Sequence, residues 1–269
     1  PVGLASELVP ILGEYERVAT TAINAYLIRE ARQYLEKLEA DLHANGFAGR
    51  AMVMQSSGGV AMLTQAMQKP VSLLASGPAG GVTGALAEAR RLGHDKVITS
   101  DVGGTTFDVG LVIDGAPVLA QSPVFSQYHL AFPMIEINSI GAGGGSIAWV
   151  QEATGLLKVG PMSAGAKPGP ACYGRGGTAP TVTDANVALG RLNPAYFMGG
   201  KGTLDVEAAR ASIAPLAAQL GMSIEDTALG IIEIVDAQMS DLLRKMTVQK
   251  GHDPRDFVLL PFGGAGALH

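Results

Sequence analysis

A glycine- and threonine-rich turn between two strand-like runs constrains this chain more than any other segment. Residues 96–100 and 107–113 are apolar and β-branched, which is typical of buried strands, and Asp101-Val-Gly-Gly-Thr-Thr106 separates them. The spacing predicts a hairpin. Glycine without a Cβ is favoured where a turn needs positive φ or where another group comes close to the backbone. We therefore expect Gly103 and Gly104 to be approached closely, and the turn to need positive φ.

The same turn has the chemistry of an anion site. Consecutive backbone N–H groups at Gly103 and Gly104 can form an anion-binding concavity, to which the hydroxyls of Thr105 and Thr106 add donors. Asp101 ends the strand and can accept from the waters of Mg²⁺, because a phosphate-bound Mg²⁺ usually keeps several waters and one or two carboxylate contacts. We assign Asp101 as the catalytic residue and as the metal contact through water. The alternative is that Gly-Gly only closes a hairpin.

Hydrophobic periodicity outlines the other elements. Helical spacing predicts helices over 13–44, from about 78 to 93, over 205–220 and over 223–250. Strand-like runs are 51–55, 71–75, 117–120, 135–140, 146–150 and 257–260. Residues 160–180 are rich in Gly and Pro and are predicted to be irregular, with Thr183 or Asp184 capping the short helix that follows.

The amino-acid composition argues against several classes of partner and site. The chain has 47% apolar residues and a net charge of −5, which is typical of a globular protein and offers no basic excess for nucleic acid or anionic lipid. We expect neither nucleic acid nor a membrane as a partner. The single cysteine cannot form an internal disulfide, which favours a reducing, cytoplasmic location. Five histidines show no metal-ligand spacing, so we expect no protein zinc site.

Three further features have open alternatives. The run Gly141-Ala-Gly-Gly-Gly-Ser146 can hold a second anion or a substrate ring, or can be a backbone crossing. Cys172 has Arg175 nearby, which would lower the pKa of its thiol, but no histidine close in sequence, so we favour a structural role. Thr20, Thr21 and Asn24 form a polar patch that can face a nucleotide or be a solvated helix face.

The order of elements resembles the second lobe of the actin-like ATPases, which include heat-shock chaperones and sugar kinases. That resemblance implies a ribonuclease H-like α/β fold with a mixed sheet flanked by helices, and ATP with Mg²⁺ as cofactors. It makes the Asp101–Thr106 hairpin the second phosphate loop. It also places Gly263, Gly264 and Gly266 of the last glycine turn against the adenosine.

The chain more closely resembles the hydantoinase A/oxoprolinase family over its whole length. Nine segments in the family's order carry the resemblance: 12–17, 21–26, Met54-Gln-Ser-Ser-Gly-Gly59, Ser76-Gly-Pro-Ala-Gly-Gly81, 140–146, Gly169-Pro-Ala-Cys-Tyr-Gly-Arg-Gly-Gly177, Thr181-Val-Thr-Asp-Ala-Asn186, 251–255 and Phe262-Gly-Gly-Ala-Gly266. It implies that residues 1–269 form one domain of this type with a Gly/Pro-rich insertion at about 151–225. Because the chain begins at Pro1 without methionine, we expect it to be part of a longer protein.

The family resemblance implies ATP-dependent hydrolysis of a small cyclic amide, such as hydantoin or 5-oxoproline, together with a hydantoinase B-type partner and in an oligomer. The alternatives are an ATP-dependent ketone carboxylase subunit and a non-catalytic, nucleotide-responsive actin-like module. Chaperone relatives carry glutamate where this chain has Gly77, and the first phosphate loop does not occur in the 269 residues. We therefore expect only half of the ATP site here, and no activity from the isolated chain.

Overall fold

The computed structural model of the protein describes residues 3–269 and shows an α/β fold. The seven α-helices of these residues are α1 Ala5–Leu8, α2 Tyr15–Ala44, α3 Leu63–Gln68, α4 Ser76–Arg91, α5 Val182–Ala188, α6 Val206–Leu220 and α7 Ile224–Met246. The strands are β1 Met52–Met54, β2 Val60–Met62, β3 Val97–Val102, β4 Phe107–Ile113, β5 Ala116–Pro117, β6 Val124–Phe125, β7 Tyr128–His129, β8 Ile137–Ile140, β9 Ser146–Gln151, β10 Leu156–Ser163 and β11 Val258–Phe262. None of the helices in this part of the chain combines the length and apolar character that a membrane crossing requires.

The chain divides into two compact units, and β3 and β4 run through both. The first unit contains residues up to Val97 and the stretch Gly110–Ile137. In it, α2 packs against α3, β1 pairs antiparallel with β2, and the end of β4 pairs antiparallel with β5. Helix α2 begins two residues after the predicted start and ends at Ala44, with Asn45 as its C-cap, so the long-helix prediction is confirmed.

Two polar residues of α2 complete backbone hydrogen bonds inside this unit. Asn24 is buried; its side chain donates to Gln68 O and accepts from the backbone N–H of Val71, both at 3.2 Å. Thr20 is also buried, and its hydroxyl oxygen accepts from the N–H of Ala131 at 2.9 Å. Both interpretations of the polar patch, nucleotide contact and solvated face, are therefore wrong for these two residues.

The same contacts correct a strand prediction. Residues 71–75 were expected to form a strand, but Pro70–Leu73 is a 3-10 turn whose Val71 N–H is held by Asn24. A short apolar run does not distinguish a strand from other buried structure. Here the hydrogen bond from Val71 N–H to Asn24, a residue distant in sequence, stabilises the turn.

The second unit contains residues 98–109 and 138–269 and carries the glycine-rich segments. Strand β11 pairs with β3, and β3 with β4, while β9 and β10 form an antiparallel pair beside α7. Helices α5, α6 and α7 pack on one another. The region predicted to be irregular begins with the end of β10, which the sequence did not predict.

Caps define the helices of this unit. The side chains of Asp205 and Ser223 cap α6 and α7, and Gly221 ends α6 with a left-handed conformation, as predicted. Helix α5 differs from the prediction: its N-cap is Thr181, not Thr183 or Asp184. Thr181 and Asp184 form a reciprocal capping box, in which each side chain accepts the other residue's backbone N–H.

Candidate functional site

The turn between β3 and β4 is closed by one hydrogen bond, in which Gly103 N–H donates to Thr106 O at 3.0 Å. Neither Gly103 nor Gly104 has positive φ, so the expected conformational need for glycine is wrong. Packing within the protein does not require glycine there either: a Cβ on Gly104 would have no atom within 4 Å, and one on Gly103 would meet only Thr106 O at 3.7 Å. The turn therefore opens toward empty volume.

The run Gly143–145 lies directly against this turn. Gly144 N–H donates to Gly103 O at 2.9 Å, Gly145 N–H to Gly104 O at 2.6 Å, and Gly143 N–H to the Ser146 hydroxyl at 3.0 Å. All three amides are thus used within the protein and none remains for an anion. Of the two interpretations of this segment, the geometry supports the backbone crossing.

This crossing sets the direction of the amides in the turn. The C=O of one residue and the N–H of the next point in opposite directions across a trans peptide. Because the carbonyls of Gly103 and Gly104 point toward the glycine run, the N–H groups of Gly104 and Thr105 point away from it. Neither N–H donates to another group within residues 3–269. Two adjacent unpaired donors are a donor set that fits phosphate oxygens.

The last glycine turn packs on the end of β3. Ala265 N–H donates to Val102 O at 3.0 Å. Gly263 has φ +86°, and a Cβ there would overlap the carboxylate of Asp101. Gly266 is buried, and its Cβ would lie 3.7 Å from Ser100 O. These glycines allow the turn to approach β3, which places Gly263 beside Asp101.

Asp101 lies in a charged and partly buried environment. Burial raises the pKa of its carboxyl above the ordinary value, and the nearby negative charge of Asp108 raises that pKa further. Asp108 itself accepts a hydrogen bond from the Thr106 hydroxyl at 3.2 Å. A cation near two carboxylates would relieve their repulsion, so this pair fits a hydrated Mg²⁺. The described residues contain no cluster of three or more His, Cys, Asp or Glu that could hold a metal by itself.

A cavity of about 400 Å³ opens at the turn. Its polar side includes three of the residues that the sequence indicated, Gly103, Gly104 and Gly264, and also Gly144 and Thr183. Asp101, Thr105, Thr106, Gly263 and Gly266 do not line this cavity, although all lie in the two turns beside it.

The cavity also has an apolar wall, which was not predicted. It consists of Tyr173, Leu192, Phe197, Met198 and Leu268. The rings of Tyr173 and Phe197 pack with their centroids 5.3 Å apart. Tyr173 and Thr183 belong to two of the glycine- and threonine-containing segments that resemble the family, which is the signal that could have found them. The other residues of this wall carry no sequence pattern that marks a site.

Cys172 points into the protein and not into the cavity. It is 1% exposed and packs with Val187, Leu204 and Ala209. Burial raises the pKa of its thiol, and the negative charge of Asp184 adds to that shift. A thiol held protonated is a poor nucleophile, which favours the structural role.

The chain matches the family model described as Hydantoinase/oxoprolinase over residues 17–269. It is 42% identical to caprolactamase subunit alpha of Pseudomonas jessenii, covering 98% of this chain and 38% of that protein. It is 34% identical to 5-oxoprolinase 1 of Arabidopsis thaliana, covering all of this chain and 22% of that protein.

Solved structures show the same likeness. The nucleotide-free structure of acetone carboxylase superimposes with a TM-score of 0.88 at 34% identity, over 98% of this chain and 37% of that one. The crystal structure of the ATP-dependent caprolactamase from Pseudomonas jessenii gives a TM-score of 0.83 at 40% identity, over 99% and 39%. The chain thus spans well under half the length of these relatives, as expected for part of a longer protein.

Proposed function

This chain belongs to the hydantoinase/oxoprolinase family, and we propose that it supplies one half of the ATP site of an enzyme that hydrolyses a cyclic amide. The observation that carries the proposal is the pair of unpaired N–H groups, Gly104 and Thr105, at a turn that opens toward the cavity. Caprolactamase and 5-oxoprolinase are named for cyclic amides, and the caprolactamase structure is described as ATP-dependent. These likenesses support the substrate class and the nucleotide.

Different groups of residues would bind different parts of the nucleotide. The N–H groups of Gly104 and Thr105 would donate to phosphate oxygens, Gly103 leaves room for them, and the hydroxyl of Thr105 adds a donor. The single O–H of Thr106, which the sequence also indicated, donates to Asp108 in this structure. The apolar wall would cover the uncharged part of the nucleotide, which Gly263, Gly264 and Gly266 approach from the last turn. Such preorganised donors stabilise charge that develops during phosphoryl transfer.

Asp101 would hold Mg²⁺ through water, and Asp108 would add a second negative charge nearby. Bound ATP would phosphorylate the amide carbonyl oxygen and leave as ADP, which would make the carbonyl carbon a better electrophile. Water would then add to that carbon, the ring C–N bond would break with the nitrogen taking a proton, and a second water would release phosphate. The protein's own contribution is to orient the phosphates and exclude water from them.

The complete protein is proposed to work with a hydantoinase B-type partner in a cytoplasmic oligomer. The word "subunit" in the name of the caprolactamase relative supports a partner. Residues 151–225 are proposed to be the insertion that distinguishes this domain, because they contribute α6 and four of the five residues of the apolar wall. With the opposing phosphate loop missing from these 269 residues, we propose that the chain alone is inactive.

A ketone carboxylase is the second candidate. The observation that favours it is the TM-score of 0.88 with acetone carboxylase. Both candidates use the same ATP half-site, so the cavity does not separate them. A nucleotide-responsive module without catalysis would bind ATP and turn over neither substrate class.

The experiment uses the full-length protein with its partner subunit. Hydantoin, 5-oxoproline, caprolactam and acetone are each supplied with and without ATP, in parallel with the variant Gly104→Val. We expect ATP-dependent ring opening of one cyclic amide, reduced more than a hundredfold, about 2.7 kcal/mol in the barrier, in the variant. The variant should melt at nearly the wild-type temperature, since its Cβ enters open space. Turnover of acetone alone would favour the carboxylase, and ring opening that does not need ATP would refute the proposal.

A further inference from the structure

One threonine connects a helix to the glycine run behind the phosphate turn. Thr183 is the second residue of α5 and lies at the cavity. Its backbone N–H and its hydroxyl both donate to Gly144 O, at 2.7 and 2.8 Å. Gly145 N–H, on the same peptide as Gly144 O, in turn donates to Gly104 O at 2.6 Å. A continuous chain of hydrogen bonds therefore runs from α5 through the Gly144–Gly145 peptide to the turn.

The helix end of this chain is firmly anchored. Asp184 is fully buried, and its carboxylate accepts from Thr181 N at 3.0 Å, Thr181 Oγ1 at 2.7 Å, Ala171 N at 3.2 Å and Cys172 N at 2.8 Å. Moving α5 would leave the buried N–H groups of Ala171 and Cys172 without their partner, and each unsatisfied buried group costs about 1–3 kcal/mol. Thr183 is thus held in place by its neighbour.

The turn end is held by backbone hydrogen bonds and not by a buried carboxylate: Gly103 N–H donates to Thr106 O, and Gly145 O accepts from Ala164 N–H at 2.8 Å. Gly143, Gly144 and Gly145 have no side chains, and glycine has the greatest backbone freedom of any residue. The direction of the Gly103 and Gly104 peptides therefore depends on the hydrogen bonds that Gly144 and Gly145 make. Those bonds determine where the unpaired N–H groups of Gly104 and Thr105 point.

We propose that Thr183 is a positioning residue for phosphate binding, an inference that rests on the proposed function of the turn. By bonding Gly144 O twice, Thr183 fixes the Gly144–Gly145 peptide, and through the bond from Gly145 N–H to Gly104 O it fixes the amides of the turn. The hydroxyl contributes the second bond, so its removal loosens the turn without removing any donor to phosphate. A preorganised set of donors binds better than one that must be ordered on binding.

The chain offers a matched control for the loss of a buried threonine hydroxyl. Thr227 in α7 is fully buried, and its hydroxyl donates to Ser223 O at 2.8 Å, the same kind of bond at the same length. Thr227 does not line the cavity. Thr183→Val and Thr227→Val should therefore lose similar stability and differ in their effect on phosphate binding.

Two measurements on the full-length protein test the inference: the Kd for ATP by calorimetry, and hydrogen exchange of the amides of Gly144 and Gly145. We expect Thr183→Val to raise the Kd for ATP about tenfold, as loss of one hydrogen bond can, and to speed exchange of both amides. Thr227→Val should change neither quantity. Thr183→Ser, which keeps the hydroxyl, should stay within about twofold of wild type in Kd.

The outcomes separate this inference from the proposed function. Equal effects of Thr183→Val and Thr227→Val on both quantities would overturn the positioning role. A wild-type protein that does not bind ATP would refute the proposed function, while the exchange data would still accept or reject Thr183 as the residue that holds the turn. If Thr183→Val does not fold, Thr183→Ala replaces it under the same criteria.

Discussion

Two glycine runs meet at the candidate site, residues 103–104 (the first run) and residues 143–145 (the second run), and they differ in what surrounds them. At Gly104 a Cβ would meet nothing within 4 Å, and the N–H has no partner within the described residues. At Gly143 a Cβ would lie 2.5 Å from Thr105 N, and the N–H is bonded to Ser146. The first run faces open volume and the second faces backbone. Glycine content alone therefore does not identify a ligand site; the direction of the amides does.

The largest expected effect is a loss of folding stability from a substitution in the second run. Gly143→Ala forces a Cβ into the backbone of the turn, and overpacking of this kind costs about 3 kcal/mol. Chemical denaturation of the variant should show that loss in the free energy of unfolding.

Gly104→Ala is the matched control, because it adds the same methyl group to the first run. We expect its free energy of unfolding to stay within about 0.5 kcal/mol of wild type. Equal destabilisation by the two variants would contradict the contrast between the runs.

Sequence alone predicted the long elements well, because their signals are local. The helices that contain 15–44, 206–220 and 224–246 follow from periodicity and caps that lie within a few residues. The actin-like α/β class and the family were also predicted, and the comparisons confirm both.

The misses come from contacts between distant residues. Asn24 holds Val71 in a turn that had a strand-like sequence. At the site, the glycines of the two turns were predicted, whereas Phe197, Met198 and Leu268 were not. An apolar side chain at a cavity has no local pattern that separates it from one in the core.

A smaller effect is expected for Asp101, which lies at the end of β3 beside the turn that contains Gly104. Its pKa is raised by burial and then by Asp108, and Mg²⁺ needs the ionised carboxylate. The Mg²⁺-dependent part of ATP affinity should therefore appear as pH rises through this raised pKa, at a higher pH than for an ordinary aspartate. Asp108→Asn removes one cause of the shift, so the midpoint should move to lower pH. Titrations of ATP across pH check this.

Asp101→Ala is the companion variant. It should abolish the difference in ATP affinity with and without Mg²⁺. A midpoint that stays fixed in Asp108→Asn, or a Mg²⁺ effect that survives in Asp101→Ala, would argue against the carboxylate pair.

The smallest effect concerns a third glycine-rich segment, which contains Cys172. Its thiol is buried and its pKa is raised, so this segment belongs with the structural glycine run. Cys172→Ser should retain most of the ATP-dependent turnover in a steady-state assay. A loss beyond a hundredfold, about 2.7 kcal/mol of transition-state stabilisation, would instead assign the thiol to the chemistry.

The central claim is that the Gly104 and Thr105 amides bind phosphate as half of a site. It is tested most directly by titrating ATP with Mg²⁺ into the 269-residue chain while amide signals are followed by NMR. We predict millimolar affinity, near about −4 kcal/mol, with the signals of Gly104 and Thr105 shifting far more than those of Gly143, Gly144 and Gly145. Micromolar binding, or shifts in the glycine run without shifts in the turn, would contradict the account.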